Sequence, residues 1–387
     1  MTGLYRDTHV VINLDHVAFN IQQIRQMIGE DVAIGAVLKA DGYGHGAVEI
    51  AGVAIEEGCR MLMVATLSEA LELRHHYPAS EILIMGHTPN QYLPLVAKHQ
   101  ITQTIFSYEQ ADLLNAEAKE LGRSVKVHIK YDTGFNRLGF QDKDESIGLI
   151  KKICQMEFLK VEGFFSHLAL KNKSCDLQQF DRFMGAVTKL KNLGISFNYT
   201  HICDSISGVD YPEFRLDMIR PGALIYGLKS YKKDTLKLKQ VMTFKTKISH
   251  LKTIRTGEGV SYDYLWQAKR DSLIATLPFG YADGYPRNMK DVGHVTVRGI
   301  QVPIIGVLCM DQCMADVTDV AGVRQGDEVI IYGDGQGQTL DIQSISKMAG
   351  TNKNEIVARL TRRVPKVYIK NGNIFKVIDP LLEGIDL

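Results

Sequence analysis

The sequence predicts an α/β chain, a (β/α)8 barrel of the TIM type followed by a mainly β C-terminal domain. Three observations carry this prediction. Eight short apolar runs alternate with helical patterns over about 200 residues, the count of a closed barrel rather than an open doubly wound sheet. Past about residue 240 the alternation stops, and β-rich runs punctuated by turn signals take over. At 387 residues the chain is long enough for two domains that each bury a core.

Taken in order, the first helix spans 15–28, with Asp15 as its N-cap and Val17, Ile21, Ile24 and Ile28 on one face. The eight candidate strands are 33–40, 61–66, 81–86, 101–106, 125–131, 161–167, 199–203 and 218–220. Amphipathic segments at 68–76, 108–121, 146–156 and 177–193 separate most of them, while the third and seventh helices are short or weakly marked. In the second part, 294–297, 302–307, 328–332 and 366–369 read as strands. Turns fall at Arg298-Gly299, Gly326-Asp327 and Asn371-Gly372, and helices at 342–349 and 354–360. The expected domains are 11–238 and 239–387, with residues 1–10 packing on the second. The lysine-rich stretch 229–239 reads as a solvated crossover between them.

Composition narrows the function. Hydrophobic residues make up 45% and charged residues 23%, an ordinary globular balance. A formal net charge of +1 leaves no positive field for nucleic acid or an anionic membrane. Six cysteines are scattered without disulfide or zinc spacing, so reduced thiols and no metal site are expected. Residues 1–10 lack the apolar core of a secretory signal, and no run approaches the ~18 apolar residues of a membrane helix. A cytoplasmic protein is expected.

In such a barrel the active site lies at the C-terminal ends of the strands. There the chain places Lys39, Lys130 with the following Arg137, His167, Ser205 and Arg220. A lone lysine at a strand end is usually a snorkelling surface residue. Polar groups at five strand ends on one rim are harder to explain that way, because inward-facing charges are costly unless paired with each other or with a ligand. The glycine-rich run after Lys39 and the Gly222-Ala223 step both suit a phosphate cradle. A lysine beside a phosphate cradle fits pyridoxal phosphate. It also fits a phosphorylated sugar, and composition and spacing leave the two open.

At these residues the sequence resembles the alanine racemase family, over essentially its whole length. The most specific match is Ala36-Val37-Leu38-Lys39-Ala40-Asp41-Gly42-Tyr43-Gly44-His45-Gly46, the family's cofactor-lysine motif. Others are Lys130-Tyr131-Asp132-Thr133-Gly134 with Arg137-Leu138-Gly139, Ser166-His167 and Ile219-Arg220-Pro221-Gly222. The second domain contributes Gly259-Val260-Ser261-Tyr262, Gly280-Tyr281-Ala282-Asp283-Gly284-Tyr285, Cys309-Met310-Asp311-Gln312 and Arg363-Val364-Pro365.

The resemblance implies a racemase that interconverts L- and D-alanine for cell-wall precursors, with pyridoxal 5'-phosphate bound to Lys39. Lys39 is then the acid/base on the D face and Tyr262 on the L face, since one group cannot reach both sides of a planar carbanion. A free tyrosine, with a pKa near ~10, is a poor base at neutral pH; a cationic neighbour, through His167 and Arg220, is expected to lower it. The resemblance places Tyr43, Ser205, Gly222 and Ala223 at the phosphate and Arg220 at the pyridine nitrogen. Because an arginine does not readily give up a proton, that nitrogen is expected to stay unprotonated. Arg137 binds the ring hydroxyl or the substrate carboxylate, and Lys130 matches a position carbamylated in some members. Tyr262 and the Met310 backbone, with Asp311 in support, serve the site of a partner subunit, so a head-to-tail homodimer is expected.

Three positions depart from the family pattern: Gly42 for the usual Ala, Asp204 for Asn, and Asn354 for a Tyr. The last is the largest change. It opens space beside Tyr262 and resembles the racemase domains of serine racemases linked to vancomycin resistance, so serine or a broader specificity is the alternative. A barrel-type pyridoxal phosphate decarboxylase is disfavoured by Tyr262 and Arg220. A non-catalytic pyridoxal-phosphate-binding barrel is disfavoured by the second domain.

Overall fold

In the computed structural model, which describes residues 3–229, 236–335 and 337–385, eight parallel strands stand at the eight apolar runs. They are Ala33–Val37, Met61–Val64, Ile82–Ile84, Thr102–Ile105, Val125–Asp132, Leu159–Phe165, Tyr199–His201 and Met218–Ile219. Each pairs with the next as far as the seventh, and the eighth pairs with the first, Met218 opposite Ala33. Between the seventh and eighth there is no regular ladder. Asp217 N to Thr200 O (3.1 Å) and Arg220 N to Cys203 O (3.1 Å) bridge that gap, so the barrel is nearly closed.

Both faces of this sheet are covered, so Ala33–Val37, Met61–Val64 and Ile82–Ile84 are apolar on both sides. Val37, Met61, Met63, Leu83 and Met218 pack together inside the ring. Ile34, Ala36, Leu62, Val64 and Ile84 belong to the larger core shared with the helices. Those helices include Leu67–His76, Tyr108–Glu120, Asp144–Cys154 and Lys173–Asn192, with Leu93–Lys98 and Ser205–Asp210 the short third and seventh.

The first helix, Leu14–Ile28, corrects the expected cap. Asn13 is the N-cap, its Oδ1 accepting from His16 N at 3.1 Å. The Asp15 carboxylate instead accepts from Asn371 N (2.9 Å) and Gly372 N (3.2 Å), tying the helix to a hairpin turn of the second domain.

That domain is built on a ten-stranded sheet. Its order is His250–Ile254, Ser272–Leu277, Cys313–Asp316, Ile300–Ile305, His294–Val297, Glu328–Tyr332, Met242–Lys247, His9–Asn13, Lys366–Lys370, Asn373–Ile378. The N-terminal strand pairs antiparallel with Met242–Lys247 and parallel with Lys366–Lys370. Of the lysine-rich stretch 229–239, residues 230–235 lie outside the described residues. Lys239 N donates to Asn20 Oδ1 at 2.8 Å, and its ammonium lies 4.5 Å from the Phe19 ring. Among the described residues no helix is long and apolar enough to cross a membrane.

Candidate active site

The first barrel strand stops at Val37, two residues short of Lys39. From Ala40 the backbone turns left-handed for five residues, with φ of 55, 53, 58, 55 and 76° at Ala40, Asp41, Gly42, Tyr43 and Gly44. For the three non-glycine residues this costs roughly 1–2 kcal/mol each. Bonds on all sides hold the turn. Ala40 N donates to Glu69 Oε1 (2.6 Å), Ala47 N to Asp41 Oδ1 (3.0 Å) and Tyr368 OH to His45 O (3.1 Å), while Lys366 pairs with Asp41.

The glycines here have a different task from the phosphate cradling expected of them. A Cβ on Gly44 would sit 2.2 Å from Val357 O, and one on Gly46 would sit 1.9 Å from Tyr368 OH. They let the second domain close on the turn. Only Tyr43 of residues 42–46 reaches the cavity.

That cavity, about 420 Å³, opens at the C-terminal ends of the strands. The structure brings Lys39, Tyr43, Lys130, Arg137, His167, Ser205, Arg220, Gly222, Ala223 and Asn354 to its walls. Val37, Met85, Leu138 and Phe165 add apolar surface suited to a flat ring.

Arg220 is buried, and both of its Nη atoms are hydrogen-bonded. Nη1 donates to His201 Nδ1 (2.9 Å), and Nη2 to Ser166 O and Ile202 O (both 2.9 Å), with His167 Nδ1 at 3.3 Å. A guanidinium has no acceptor, so His201 Nδ1 must accept. Its proton then sits on Nε2, directed at His128 Nδ1, 3.0 Å away. Both imidazoles are held neutral. Burial, and next Arg220, push His128 down to about 3 and His201 well below the ordinary histidine value. His167 is likewise pushed down to about 3, by burial first and then Arg220.

The two lysines are poised differently. Burial drives Lys130 down to about 7, with Arg220 and Arg137 adding and Asp132 opposing; its Nζ donates to Tyr131 O at 2.8 Å. Lys39 is lowered by burial and by Arg137, against Glu69. Arg137 lies 4.5 Å from the Phe135 ring, itself 5.0 Å from His167.

At the other end, Ser205 Oγ accepts from Gly222 N at 2.9 Å. A Cβ on Gly222 would come within 2.5 Å of the Tyr43 hydroxyl, so glycine admits that close approach. Burial, with Asp204, pushes the Tyr43 phenol up to about 12, keeping it a donor. A depressed amine, a fixed buried cation and a cluster of short donors fit pyridoxal phosphate, which carries an aldehyde, a ring nitrogen and a phosphate. Among the described residues, Lys39, Lys130, Arg137 and Arg220 face the cavity against the single carboxylate of Asp204, an excess of cationic groups that suits an anionic phosphate.

Tyr262, Met310 and Asp311 do not line this cavity. They lie on the second domain, where Tyr262 is 64% and Met310 52% exposed. One loop system holds them together. Ser261 Oγ donates to Val307 O (2.6 Å) and lies 3.7 Å from Cys309 Sγ, while Ala282 N donates to Met310 O (3.0 Å). Asp311 pairs with Arg363 at 2.7 Å. Ser261, Asp263 and Tyr264 all have positive φ, so the loop presenting Tyr262 is strained into place.

Residues 12–230 match the alanine racemase N-terminal domain and residues 241–368 the alanine racemase C-terminal domain. The chain belongs to the alanine racemase family. Alanine racemase 1 of Clostridium acetobutylicum is 40% identical over 95% of this chain and 96% of its own length. The alanine racemase of Clostridium novyi is 39% identical over 95% and 96%. Among solved structures, alanine racemase from Clostridium difficile superposes with a TM-score of 0.94 at 35% identity, covering 98% of this chain and all of its own. The Bacillus anthracis alanine racemase with bound L-Ala-P gives 0.91 at 30% identity, over 98% and 99%.

Family membership leaves several of this racemase's site residues unassigned by the sequence reading. Glu69 carried a findable signal, because Thr66-x-x-Glu69 has capping-box spacing. His128 and His201 alternate with apolar residues on strands, a pattern equally read as core.

Proposed function

We propose that this chain interconverts L- and D-alanine as a homodimer, with pyridoxal 5'-phosphate bound to Lys39. The observation that carries this is the convergence of Lys39, Arg220 and the Tyr43–Ser205–Gly222 cluster on one cavity, with Tyr262 exposed on a separate face. A family neighbour from Bartonella henselae, solved with covalently bound pyridoxal phosphate (TM-score 0.84, 27% identity, covering 94% of this chain and 99% of that one), supports the cofactor.

When bound, the cofactor supplies the electron sink that acidifies the substrate Cα–H. The residues supply the rest. Tyr43, Ser205 and the backbone of Gly222 and Ala223 hold the phosphate. Arg220, locked by its four acceptors, presents a proton it does not release, which moderates the sink. Lys39 moves the proton on the D face, and its lowered pKa raises the fraction of free amine at neutral pH. Tyr262 of the partner subunit moves the proton on the L face, with His167 joining it to Arg220. Arg137 and the Met310 backbone of the partner subunit orient the carboxylate, and Asp311 braces that loop through Arg363. Lys130, pushed down to about 7 and so about half neutral at that pH, is open to carbamylation, which gives Arg137 an anionic partner.

A second reading is favoured by Asn354, which lines the cavity with a small polar side chain and leaves room for a hydroxymethyl group. Serine is then an additional substrate. The setting proposed is the cytoplasm, where D-alanine feeds peptidoglycan precursors. Incubating the holoenzyme with L-alanine in deuterium oxide tests the reading by chiral product analysis. Formation of α-deuterated D-alanine, abolished in Lys39→Ala, is expected. Carboxylate loss, or product from Lys39→Ala at the wild-type rate, would overturn it.

A further inference from the structure

Glu69 opens the helix Leu67–His76, and a capping box explains part of its bonding: Thr66 N donates to Oε2 at 3.1 Å, and Glu69 N to Thr66 Oγ1 at 3.3 Å. Two further bonds belong to no cap. Ala65 N donates to Oε2 at 2.8 Å. Ala40 N, 29 residues upstream, donates to Oε1 at 2.6 Å. The Ala40 N–H is half of the Lys39–Ala40 peptide group and the first donor of the left-handed turn. A carboxylate thus joins the end of the first barrel strand to the end of the second, at the lysine.

We propose that Glu69 is a positioning residue for Lys39: by clamping the Lys39–Ala40 peptide to the 65–66 backbone, it sets the direction from which the lysine side chain enters the cavity. The proposal rests on Lys39 being the cofactor lysine. Three features support it. The turn is strained at Ala40, Asp41 and Tyr43, so it keeps its shape only where neighbours over-determine it. The hydrogen bond is short and charge-assisted, the stronger kind. Both oxygens accept, Oε1 from the turn and Oε2 from the 65–66 backbone, so only a carboxylate serves both sides. A glutamine would turn an NH2 group against one of those N–H donors. The same carboxylate acts to raise Lys39 against its lowering by burial and Arg137.

The test compares Glu69→Gln, Glu69→Ala and Thr66→Ala in the full-length protein. Three things are read: amide exchange of the 39–46 segment without cofactor, the rate at which added pyridoxal phosphate develops the visible absorption of lysine-bound cofactor, and kcat against KM. Both Glu69 variants should exchange and capture cofactor with rates changed about tenfold, the effect of losing one hydrogen bond to a charged group. Their kcat should fall with little change in KM. Thr66→Ala removes the other half of the capping box, and should lower Tm while leaving exchange and capture at wild-type rates. Glu69→Gln behaving as wild type would overturn the proposal, as would Thr66→Ala reproducing the Glu69 variants. Wholesale unfolding of Glu69→Gln would also overturn it, by making the carboxylate a determinant of the fold. Exchange and capture are measured without turnover. A protein that passes both yet racemises nothing would therefore fault the proposed function and leave Glu69 in its role.

Discussion

Lys39 lines the cavity and Tyr262 does not, which gives a quantitative expectation for mixed dimers. Suppose each cavity uses Lys39 of its own chain and Tyr262 of the partner subunit. Then Lys39→Ala and Tyr262→Phe homodimers each lack one proton-transfer group at both sites. Losing one such group costs about 10²–10⁴ in rate, so each parent should retain about 1% of activity or less. In a mixed dimer one cavity carries both lesions and the other carries none. Random reassortment of equal amounts gives about half mixed dimers, each with one intact site of two, hence about a quarter of wild-type activity per mole of chain. The assay co-refolds differently tagged variants, confirms the mixed dimer by tandem capture, and measures D-alanine formation. Were Tyr262 to serve its own chain, every site in every dimer would carry a lesion. Verified mixed dimers with no more activity than their parents would therefore refute the shared site.

Three further expectations follow from the geometry. Lys130, at about 7 in the fold against ~10.4 unfolded, makes the unfolded chain the better proton binder between those values, so stability rises with pH from 7 to 10. Lys130→Met should remove up to about 1.4 kcal/mol per pH unit of that slope in urea melts under CO2-free buffer; parallel stability curves would contradict the assignment. Gly44→Ala places a Cβ 2.2 Å from Val357 O at a φ of 76°, and should cost about 3 kcal/mol in denaturant unfolding; a loss near zero would mean the turn relaxes freely. Asn354→Tyr should raise the alanine-to-serine ratio of kcat/KM by about tenfold or more, the usual reach of one pocket group, and an unmoved ratio would remove serine as a second reading.

The first three barrel strands, Ala33–Val37, Met61–Val64 and Ile82–Ile84, were legible because they are buried on both faces and appear as uninterrupted apolar runs. Val125–Asp132 and Leu159–Phe165 carry lysines and were legible through their alternation with helical patterns. The second domain was read less completely for the complementary reason. His250–Ile254 buries only Ile254 fully, and Met242–Lys247 alternates buried with polar residues, so neither stands out as an apolar run. His9–Asn13 is a strand only because Met242–Lys247 and Lys366–Lys370 flank it, partners more than 200 residues away. Within the site, the motif-bearing residues of the barrel line the cavity wall. The contacts that support them were not visible, even where a capping box marked Glu69, because each acts across sequence distance: Glu69 on Ala40, His201 on Arg220, and Tyr368 on His45.

The glycine run 42–46 shows where reading by residue type goes astray. Glycine permits an anion to approach a backbone, and it equally permits another backbone to do so; composition cannot separate the two. Here Gly44 and Gly46 admit Val357 and Tyr368 of the second domain, and the cavity takes only Tyr43 from that stretch. The consequence reaches the chemistry. The turn that carries Lys39 is pinned on one side by the barrel, through Glu69, and on the other by the second domain, through Lys366, Tyr368 and the helix Lys353–Ala358. That short helix also brings Asn354 to the cavity. Lysine geometry and the residue expected to set substrate size are thus fixed by the same packing contact. A substitution that loosens Gly44 against Val357 should disturb both together, whereas one confined to Glu69 should disturb the lysine alone.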